Sequence, residues 1–377
     1  MVIKSAIPLS WIIGEVLGLE ELPVTLVEML RERGIKDREI EDAWMGGTIH
    51  FLAVDQLLGS PSDRKTAQDV AASAGLEIPK LRKLWRALGL TDFDDDDKVF
   101  TELDVQAAQS LKTLLGSGTT SDEVVLQLAR VMGSAMARFS EAQLVASSAF
   151  GDQFGDVDPI ELADRFTRYS AATVPAVPQL LVYAWLRHLH ASSRRVMLAF
   201  DRGAENVSVV ELAVGFVDLV GFTVLSQQLS NDELARVVQR FEETSFDVVA
   251  SHGGRVVKMI GDEVMFVVES AEAACEIGVE LAQVYAKDEN LSDVRAGIAA
   301  GTALAQDGDY YGTLVNTASR IVNIAVPGTV LVTESVRIQV SDRSDFVFKA
   351  LRPRHLKDIG SVQLYVVRRA PDVSGDA

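Results

Sequence analysis

The chain has 377 residues, enough for two domains, and 48% of them are hydrophobic, which allows a sizeable core. The formal net charge of −18 argues against a sequence-independent nucleic-acid binder, which needs a basic face against the phosphates. The single cysteine, Cys275, excludes an intrachain disulfide bond and a cysteine-based zinc cluster.

The N-terminal segment of residues 1–19 is only partly apolar. It has a short run, Trp11-Ile12-Ile13, but it lacks the long apolar region and the small-residue cleavage site of a signal peptide. No segment of the chain has about 18 uninterrupted apolar residues, so we expect no membrane span. These observations predict a soluble, cytoplasmic protein.

The N-terminal half shows apolar positions at helical spacing and no convincing strand pattern. The predicted helices cover residues 24–33, 37–58, two short stretches between 66 and 90, 103–115, 121–150 and 159–169. This pattern predicts an all-helical domain over residues 1–175. Helical bundles often hold an apolar ligand between helices, although an interior rich in methionine and valine is more often plain core.

Between residues 66 and 90, two short helices flank a turn, and the second carries four basic side chains: Lys80, Arg82, Lys83 and Arg86. With Phe100-Thr101-x-x-Asp104 at the next helix start, the segment resembles the helix-turn-helix of MerR-like regulators. That resemblance implies contacts with DNA phosphates. A helical packing unit with a solvated basic face is the alternative. The acidic run of residues 94–97 favours the alternative and no nucleic-acid partner, because it would repel a DNA backbone.

A long helix is predicted from residue 179 to residue 201, after Pro175 and Pro178. We interpret residues 176–206 as a linker helix whose length and register can couple two domains. The helix carries His188 and His190 beside arginines, which disfavours protonation of the histidines. A pH-dependent activity is therefore a hypothesis, and two solvated histidines without a role are the alternative.

The apolar run of residues 212–217 predicts a buried strand that ends at Asp218. A helix follows, and residues 256–260 and 264–268 then predict a hairpin whose turn contains Asp262. If the hairpin lies beside the first strand, the two carboxylates face one point. Hard divalent cations take oxygen ligands, and two-metal phosphoryl chemistry uses shared carboxylates, so this pattern predicts a metal site.

Three motifs in this half are specific in residue type, order and spacing: Phe216-x-Asp218-x-x-Gly221-Phe222-Thr223, Lys258-x-x-Gly261-Asp262 and Asn316-x-x-x-Arg320. They resemble the catalytic core of the class III nucleotidyl cyclases, over residues 207–370. The order of the predicted elements suits a ferredoxin-like sheet with helices on one face. The predicted fold class is α+β, with an all-helical N-terminal domain, a long linker helix, a ferredoxin-like catalytic domain and a flexible tail at residues 371–377.

The resemblance implies an intramolecular reaction in which the ribose 3′-oxygen of ATP attacks the α-phosphorus and pyrophosphate leaves. Asp218 and Asp262 match the two carboxylates that hold two divalent cations, Mg²⁺ or Mn²⁺. Arg320 matches the arginine that stabilises the transition state, and Asn316 matches the residue that positions the ribose.

The same resemblance implies further contacts with the nucleotide. Phe222 and Thr223 belong to a helix start whose backbone amides, from Val220 onward, can hold phosphate oxygens. Lys357 is the candidate for a triphosphate-binding lysine.

The adenine base is read in this family by a lysine and an aspartate, because N1 accepts a hydrogen bond and the 6-amino group donates one. Lys258 is the matching donor, and Asp309 is the matching acceptor. Similar guanylyl cyclases carry Glu and either a small polar residue or Cys at these positions. The resemblance therefore implies ATP as the substrate.

Both the metal-binding pair and the set of residues for base, ribose and transition state occur in this one chain. In the family the two sets meet across a head-to-tail dimer, so the resemblance implies a homodimer with two equivalent sites. The whole chain resembles soluble bacterial adenylyl cyclases in which the helical N-terminal domain is autoinhibitory, activity responds to pH, and the regulatory domain can bind fatty acids. We expect the same regulation here, with a fatty-acid-like ligand as a candidate effector.

Two other functions compete with this one. The sequence Gly261-Asp262-Glu263-Val264 faintly resembles the hairpin of diguanylate cyclases, but the helix with Asn316 and Arg320 has no place in that family. A DNA-binding regulator with a cyclase-like ligand domain would rest on residues 66–90. A degenerate cyclase usually lacks a metal aspartate or the arginine, and neither is missing here, so adenylyl cyclase is the favoured function.

Overall fold

The computed structural model describes residues 22–59, 63–118, 120–145, 147, 157–201, 203, 206, 208–288, 291–343 and 345–371. The chain forms two compact units, Met1–Ser192 and Ser193–Ala377, named below the first and the second unit. The N-terminal segment and, apart from Pro371, the predicted tail lie outside the described residues. No helix in the described ranges is both long enough and apolar enough to cross a membrane.

The first unit is built from helices, as predicted. They are α1 (Val24–Glu32), α2 (Asp37–Met45), α3 (Ile49–Asp55) followed by a 3₁₀ turn (Gln56–Leu58), α4 (Ala67–Ala74), α5 (Ile78–Ala87), α6 (Glu102–Gly116), α7 (Asp122–Val145) and α8 (Pro159–Asp201). One buried apolar cluster joins α4, α5 and α6, and another joins α1, α2, α3 and the start of α8. The described residues of this unit contain no strand beyond one bridge between Lys65 and Phe100.

The prediction of a single helix over residues 37–58 is wrong, because the helical conformation is interrupted between α2 and α3. Gly47 adopts a left-handed backbone conformation with φ of 67°, which a helix interior does not allow. Thr48 then precedes the first residue of α3. The apolar spacing continues through both helices and therefore predicts one helix. The two adjacent glycines between them are the signal that the helix stops.

The long helix α8 corrects a second prediction. Residues 159–169 and 179–201 were expected as separate helices, but α8 is continuous and contains Pro175 and Pro178. Each proline removes one main-chain hydrogen bond from a helix. Both prolines are exposed on α8, so water can reach the carbonyl groups that lose their donors.

Three of the four basic side chains of α5 pair with carboxylates of the same unit. Arg82 lies 2.8 Å from Asp92 and 2.7 Å from Asp95, and Arg86 contacts Asp92 at 2.5 Å. Lys80 pairs with Asp122 at 2.8 Å. These ion pairs favour the helical packing unit over the DNA-binding interpretation, since a phosphate backbone would have to displace them.

The second unit contains one large mixed sheet and a small two-stranded one. The strands are β1 (Val209–Leu219), β2 (Arg255–Ile260), β3 (Glu263–Val268), β4 (Val294–Gln306), β5 (Asp309–Tyr311), β6 (Val330–Thr333), β7 (Phe346–Ala350), β8 (Arg354–Leu356), β9 (Gly360–Val362) and β10 (Leu364–Arg369). The helices are α9 (Phe222–Gln228), α10 (Asn231–Ser251), α11 (Ala271–Tyr285), α12 (Thr313–Val322) and α13 (Glu334–Gln339). The sheet order is β2-β3-β1-β4-β6-β10-β7, with β5 on β4 and β8 paired with β9. Its first four strands have the antiparallel ferredoxin-like order that was predicted.

Both faces of this sheet are covered, because β1 is apolar on both sides. Ala213 and Val217 pack in a core with α10 and α11, whereas Val214 and Phe216 pack in a second core with α12. The expectation of helices on one face is therefore wrong for α12. We name the side with α12 the α12 face of the sheet.

The helix α12 lies very close to β4. A methyl group on Gly297 of β4 would lie 2.4 Å from the backbone nitrogen of Val322 and 2.7 Å from the carbonyl oxygen of Ala318. Only a glycine permits this approach of a helix backbone to a strand. The position of α12 on the sheet is thus fixed by main-chain contact, which matters because α12 carries Asn316 and Arg320.

Candidate active site

Asp218 lies at the C-terminal end of β1 and continues the residue series that points to the α12 face. It is 8% exposed and lies opposite Arg295 of β4 in the strand register. The guanidinium nitrogens Nε and Nη2 of Arg295 lie 2.7 Å and 2.6 Å from Asp218 Oδ2. A buried carboxylate is therefore held by an arginine that the sequence analysis did not identify.

Asp262 lies in the two-residue turn between β2 and β3, where Ile260 pairs with Glu263. The backbone N–H of Leu219 donates to the carbonyl oxygen of Asp262 at 3.1 Å. Because Leu219 directly follows Asp218, this bond brings the hairpin turn to the end of β1. The two predicted metal ligands thus lie at the same end of neighbouring strands.

A third carboxylate, Glu263, pairs with Asp218 in the register of β1 and β3. Burial, together with the charges of Asp218 and Asp262, raises the pKa of Glu263 to about 7, although Arg295 opposes the shift. Burial also raises the pKa of Asp218 from its ordinary value, against the effect of Arg295. Asp218 and Glu263 thus share one nearby guanidinium while Asp262 adds a third negative charge, and added positive charge would stabilise the cluster.

This donor set fits divalent cations that are shared with a nucleotide. Oδ1 of Asp218 accepts no hydrogen bond from any described residue, so it is free to bind a cation. Within the described residues, no group of three or more His, Cys, Asp or Glu side chains could hold a metal by itself. Mg²⁺ is typically held by one or two carboxylates and completed by phosphate oxygens and water, which suits Asp218 and Asp262.

Lys258 of β2 and Asp309 of β5 form an ion pair. The β-bulge between Val256 and Lys258 and the pairing of β5 with β4 bring the two strands to this contact. A second contact parallels the first, since Arg255 Nη2 donates to Tyr310 Oη at 3.2 Å. The structure therefore brings together the two residues that were predicted to read the base.

Asn316 and Arg320 lie one turn apart on α12, with Asn316 exposed and Arg320 partly buried. Arg320 Nη2 lies 3.3 Å from Asp358 Oδ2, in the turn between β8 and β9. Nε of Arg320 is buried and has no hydrogen-bond partner among the described residues. The pair with Asp358 uses only Nη2, so the guanidinium retains further N–H donors for an anionic oxygen.

The residues predicted to contact phosphate make fewer defined contacts than the residues described above. Phe222 begins α9 and packs partly against the core, and Thr223 is exposed. The backbone N–H of Val220 donates to the carbonyl oxygen of Asp293 at 2.9 Å, so the expectation that it holds phosphate is wrong. Lys357 is exposed and directly precedes Asp358, the residue that contacts Arg320.

Sequence reasoning missed three charged residues that contact the predicted set: Arg295, Glu263 and Asp358. The available signal for Arg295 was a charge within a strand of small apolar residues. Glu263 directly follows Asp262, and Asp358 directly follows Lys357. The position of Glu263 or Asp358 in the sequence does not indicate which residue it contacts, because these contacts depend on strand register and loop placement.

Comparisons with known proteins cover both units. The family Adenylate cyclase regulatory domain matches residues 21–190, and the family Adenylate and Guanylate cyclase catalytic domain matches residues 204–369. An adenylate cyclase of Streptomyces coelicolor is 39% identical over 74% of this chain and 73% of its own length. A pH-sensitive adenylate cyclase of Mycobacterium tuberculosis is 30% identical over 93% of this chain and 89% of its own length.

Among the similar solved structures, one covers less than half of the chain. It is the catalytic core of a rhodopsin-guanylyl cyclase with converted specificity in complex with ATPαS, at 24% sequence identity. The similarity covers 43% of this chain and 99% of that chain, with a TM-score of 0.40.

Proposed function

The chain belongs to the class III adenylate cyclases with an N-terminal regulatory domain, and we propose that it cyclises ATP with two divalent cations at sites shared by two copies of the chain. The observation that carries the proposal is the placement of Asp218 and Asp262 at one end of neighbouring strands. Adenylate cyclase relatives cover most of the chain, so the diguanylate cyclase alternative loses its support.

The proposed reaction forms a bond between the ribose 3′-oxygen and the α-phosphorus, breaks the bond to pyrophosphate, and releases the proton of the 3′-hydroxyl. Asp218 and Asp262 would hold the cations. When bound, the cations lower the pKa of the 3′-hydroxyl and neutralise charge on the triphosphate. Arg320 would donate hydrogen bonds to the phosphoryl oxygens as negative charge develops there, and Asn316 would orient the ribose.

The remaining phosphate contacts are also proposals. Phe222 and Thr223 would present the first free amides of α9 to the triphosphate. Lys357 would reach the same phosphates from the turn between β8 and β9. Its exposed position supports this role, since a lysine acts as a mobile point charge toward phosphate.

We expect the double variant Lys258→Glu/Asp309→Cys to lose ATP turnover by about 100-fold or more and to gain activity on GTP, relative to the unaltered chain. The adenine edge would lose its donor and its acceptor together, while a glutamate can accept the hydrogen bonds that guanine donates. Initial rates with ATP and GTP, each with Mn²⁺, measure the change.

The matched control is Arg255→Gln, which removes a second contact between β2 and β5. We expect this variant to keep the preference for ATP, because Arg255 contacts Tyr310 rather than the proposed base site. An equal loss of preference in both variants would assign the effect to the packing of β5 and contradict the role of Lys258 and Asp309.

A homodimer is supported by the separate surroundings of the two residue sets. Asp218 and Asp262 contact Arg295 and Leu219, whereas Arg320 contacts Asp358. No hydrogen bond or ion pair among the described residues links Asp218 or Asp262 to Arg320. A second copy of the chain in head-to-tail arrangement would supply the missing set to each site.

The first unit is proposed to inhibit the second. The proposed domains are a regulatory domain at residues 1–175, a linker helix at residues 176–206 and a catalytic domain at residues 207–370. We expect a truncated chain that begins at Val207 to form cyclic AMP at least about 10-fold faster than the full chain, at equal protein concentration, because it no longer bears the inhibitory unit. Assays at several concentrations separate this effect from dimer dissociation. A full chain that is as fast as the truncated one would contradict autoinhibition.

A response to pH is proposed to act through the same unit, supported by the similarity to the pH-sensitive adenylate cyclase of Mycobacterium tuberculosis. His188 and His190 are exposed on α8, where water and protons reach them. The pH–rate profile should therefore change in His188→Ala or His190→Ala; profiles identical to that of the unaltered chain would end this part of the proposal.

A fatty-acid-like ligand in the first unit stays a prediction. Two methionines of α7, Met132 and Met136, are exposed and therefore line no interior in this structure. Calorimetric titration of the full chain with oleate tests the prediction, and an absence of saturable binding would contradict it.

A further inference from the structure

The ion pair between Arg295 and Asp218 engages a single oxygen of the carboxylate. Nε and Nη2 of Arg295 both contact one oxygen of Asp218, Oδ2. The other oxygen, Oδ1, has no protein donor in the described chain. The side chains are 29% and 12% exposed, so water screens the pair only partly. Such a contact fixes the orientation of a carboxylate and leaves one oxygen available to a cation.

The same guanidinium also reaches the end of α12. Nη1 of Arg295 donates to the carbonyl oxygen of Asn323, the C-terminal cap of α12, at 3.4 Å. Two residues further along β4, Gly297 allows the backbone of α12 to lie against the strand. One side chain therefore contacts both the carboxylate at the end of β1 and the helix that carries Asn316 and Arg320.

Arg295 also reduces the electrostatic repulsion among the neighbouring carboxylates. Asp218, Asp262 and Glu263 lie together, and Arg295 is the cation that opposes the mutual repulsion at Asp218 and Glu263. Without it, the carboxylate of Asp218 would turn away from its acidic neighbours toward water. A cation would then meet a ligand that is no longer held in place.

We propose that Arg295 is a positioning residue, which holds Asp218 Oδ1 ready for a divalent cation and ties the metal-binding end of β1 to α12. The proposal rests on the metal-binding role of Asp218 and Asp262 proposed above. Arg295 acts through these residues and does not touch the substrate. Its removal should therefore weaken metal binding even where no reaction takes place.

The test measures Mn²⁺ binding to the full chain by electron paramagnetic resonance, with 3′-deoxy-ATP, which lacks the attacking hydroxyl. We expect Arg295→Gln to raise the Mn²⁺ concentration at half-saturation about 10- to 100-fold, as loss of a partner of a metal ligand typically does. The Mn²⁺ concentration at half-saturation for Arg295→Lys should lie between those of the unaltered chain and of Arg295→Gln. A single ammonium keeps the charge but cannot contact Asp218 and Asn323 together. Arg295→Lys also provides a charged variant if the glutamine variant does not fold.

The matched control is Arg240→Gln, which breaks an arginine–aspartate pair with Asp288 on the other side of the sheet. It should leave the Mn²⁺ affinity unchanged. Wild-type or tighter Mn²⁺ binding by Arg295→Gln, or an equal shift in Arg240→Gln, would overturn the positioning role. If Asp218→Ala/Asp262→Ala bound Mn²⁺ as well as the unaltered chain, the metal assignment itself would be wrong, and the inference would end with it.

Discussion

Replacement of Asp218 or Asp262 by asparagine is expected to lower cyclic AMP formation at least about 1,000-fold at saturating ATP and Mn²⁺. An amide keeps the size of the side chain but removes the negative charge that holds a cation. The loss of several kcal/mol of transition-state stabilisation corresponds to this factor, at about tenfold per 1.4 kcal/mol. Chromatographic measurement of cyclic AMP gives the rates.

The melting temperature separates this loss of activity from unfolding. Burial raises the pKa of Asp218, so the fold disfavours the charged side chain and should accept a neutral amide. We therefore expect Asp218→Asn to melt near the unaltered chain in the absence of metal.

A matched control is Asp288→Asn, which also removes a buried aspartate from an arginine pair, with Arg240. This variant should remain active, because α10 and α11 lie on the other side of the sheet from α12. Asp218→Asn with activity close to that of Asp288→Asn would contradict the proposed metal site.

Mixing two inactive chains is expected to restore activity. Asp218→Ala lacks a metal ligand, and Arg320→Ala lacks the group that stabilises the reacting phosphate. If each site takes its metal ligands from one copy and its arginine from the other, a heterodimer has one intact site and one doubly defective site. With random exchange, half of the dimers are heterodimers with one of two sites working, so activity should reach about a quarter of the unaltered chain.

Two measurements make the outcome of mixing decisive. Size-exclusion chromatography with light scattering reports whether dimers are present, and differently tagged chains report whether they exchange. A mixture of Asp218→Ala with Asp262→Ala is the control, because both variants lack the same side of the site and should stay inactive. Exchanged dimers of Asp218→Ala and Arg320→Ala without activity would show that the sites are not shared.

The elements that were predicted well depend on residues close together in the chain. The β2–β3 hairpin follows from two apolar runs, 256–260 and 264–268, around a short turn that contains Asp262; the structure shortens that turn to Gly261-Asp262, because Glu263 already pairs with Ile260. Thr66 and Thr101 begin α4 and α6 with capping boxes, as their spacing to Asp69 and Asp104 indicates.

The predictions that were wrong concern how far a helix runs and which face it covers. Pro175 and Pro178 are strong local stop signals, yet α8 continues through both. The helix α2 ends at Gly46-Gly47, although the apolar spacing continues beyond them. Local propensity sets only a preference of about 1–3 kcal/mol at such positions, which the hydrogen bonds of the neighbouring helical turns can exceed.

Residues close together in the chain were enough to indicate the family, the strands and helices that carry the motifs, and the residue types of the candidate site, because motif spacing within a short segment is a local property. The packing of distant segments set the contacts that no motif indicated: Asp218 meets Arg295 across 77 residues, and Arg320 meets Asp358 across 38. These contacts depend on strand register and on the close approach of α12 to Gly297, which are set when distant segments pack against one another and leave no periodic pattern in the chain.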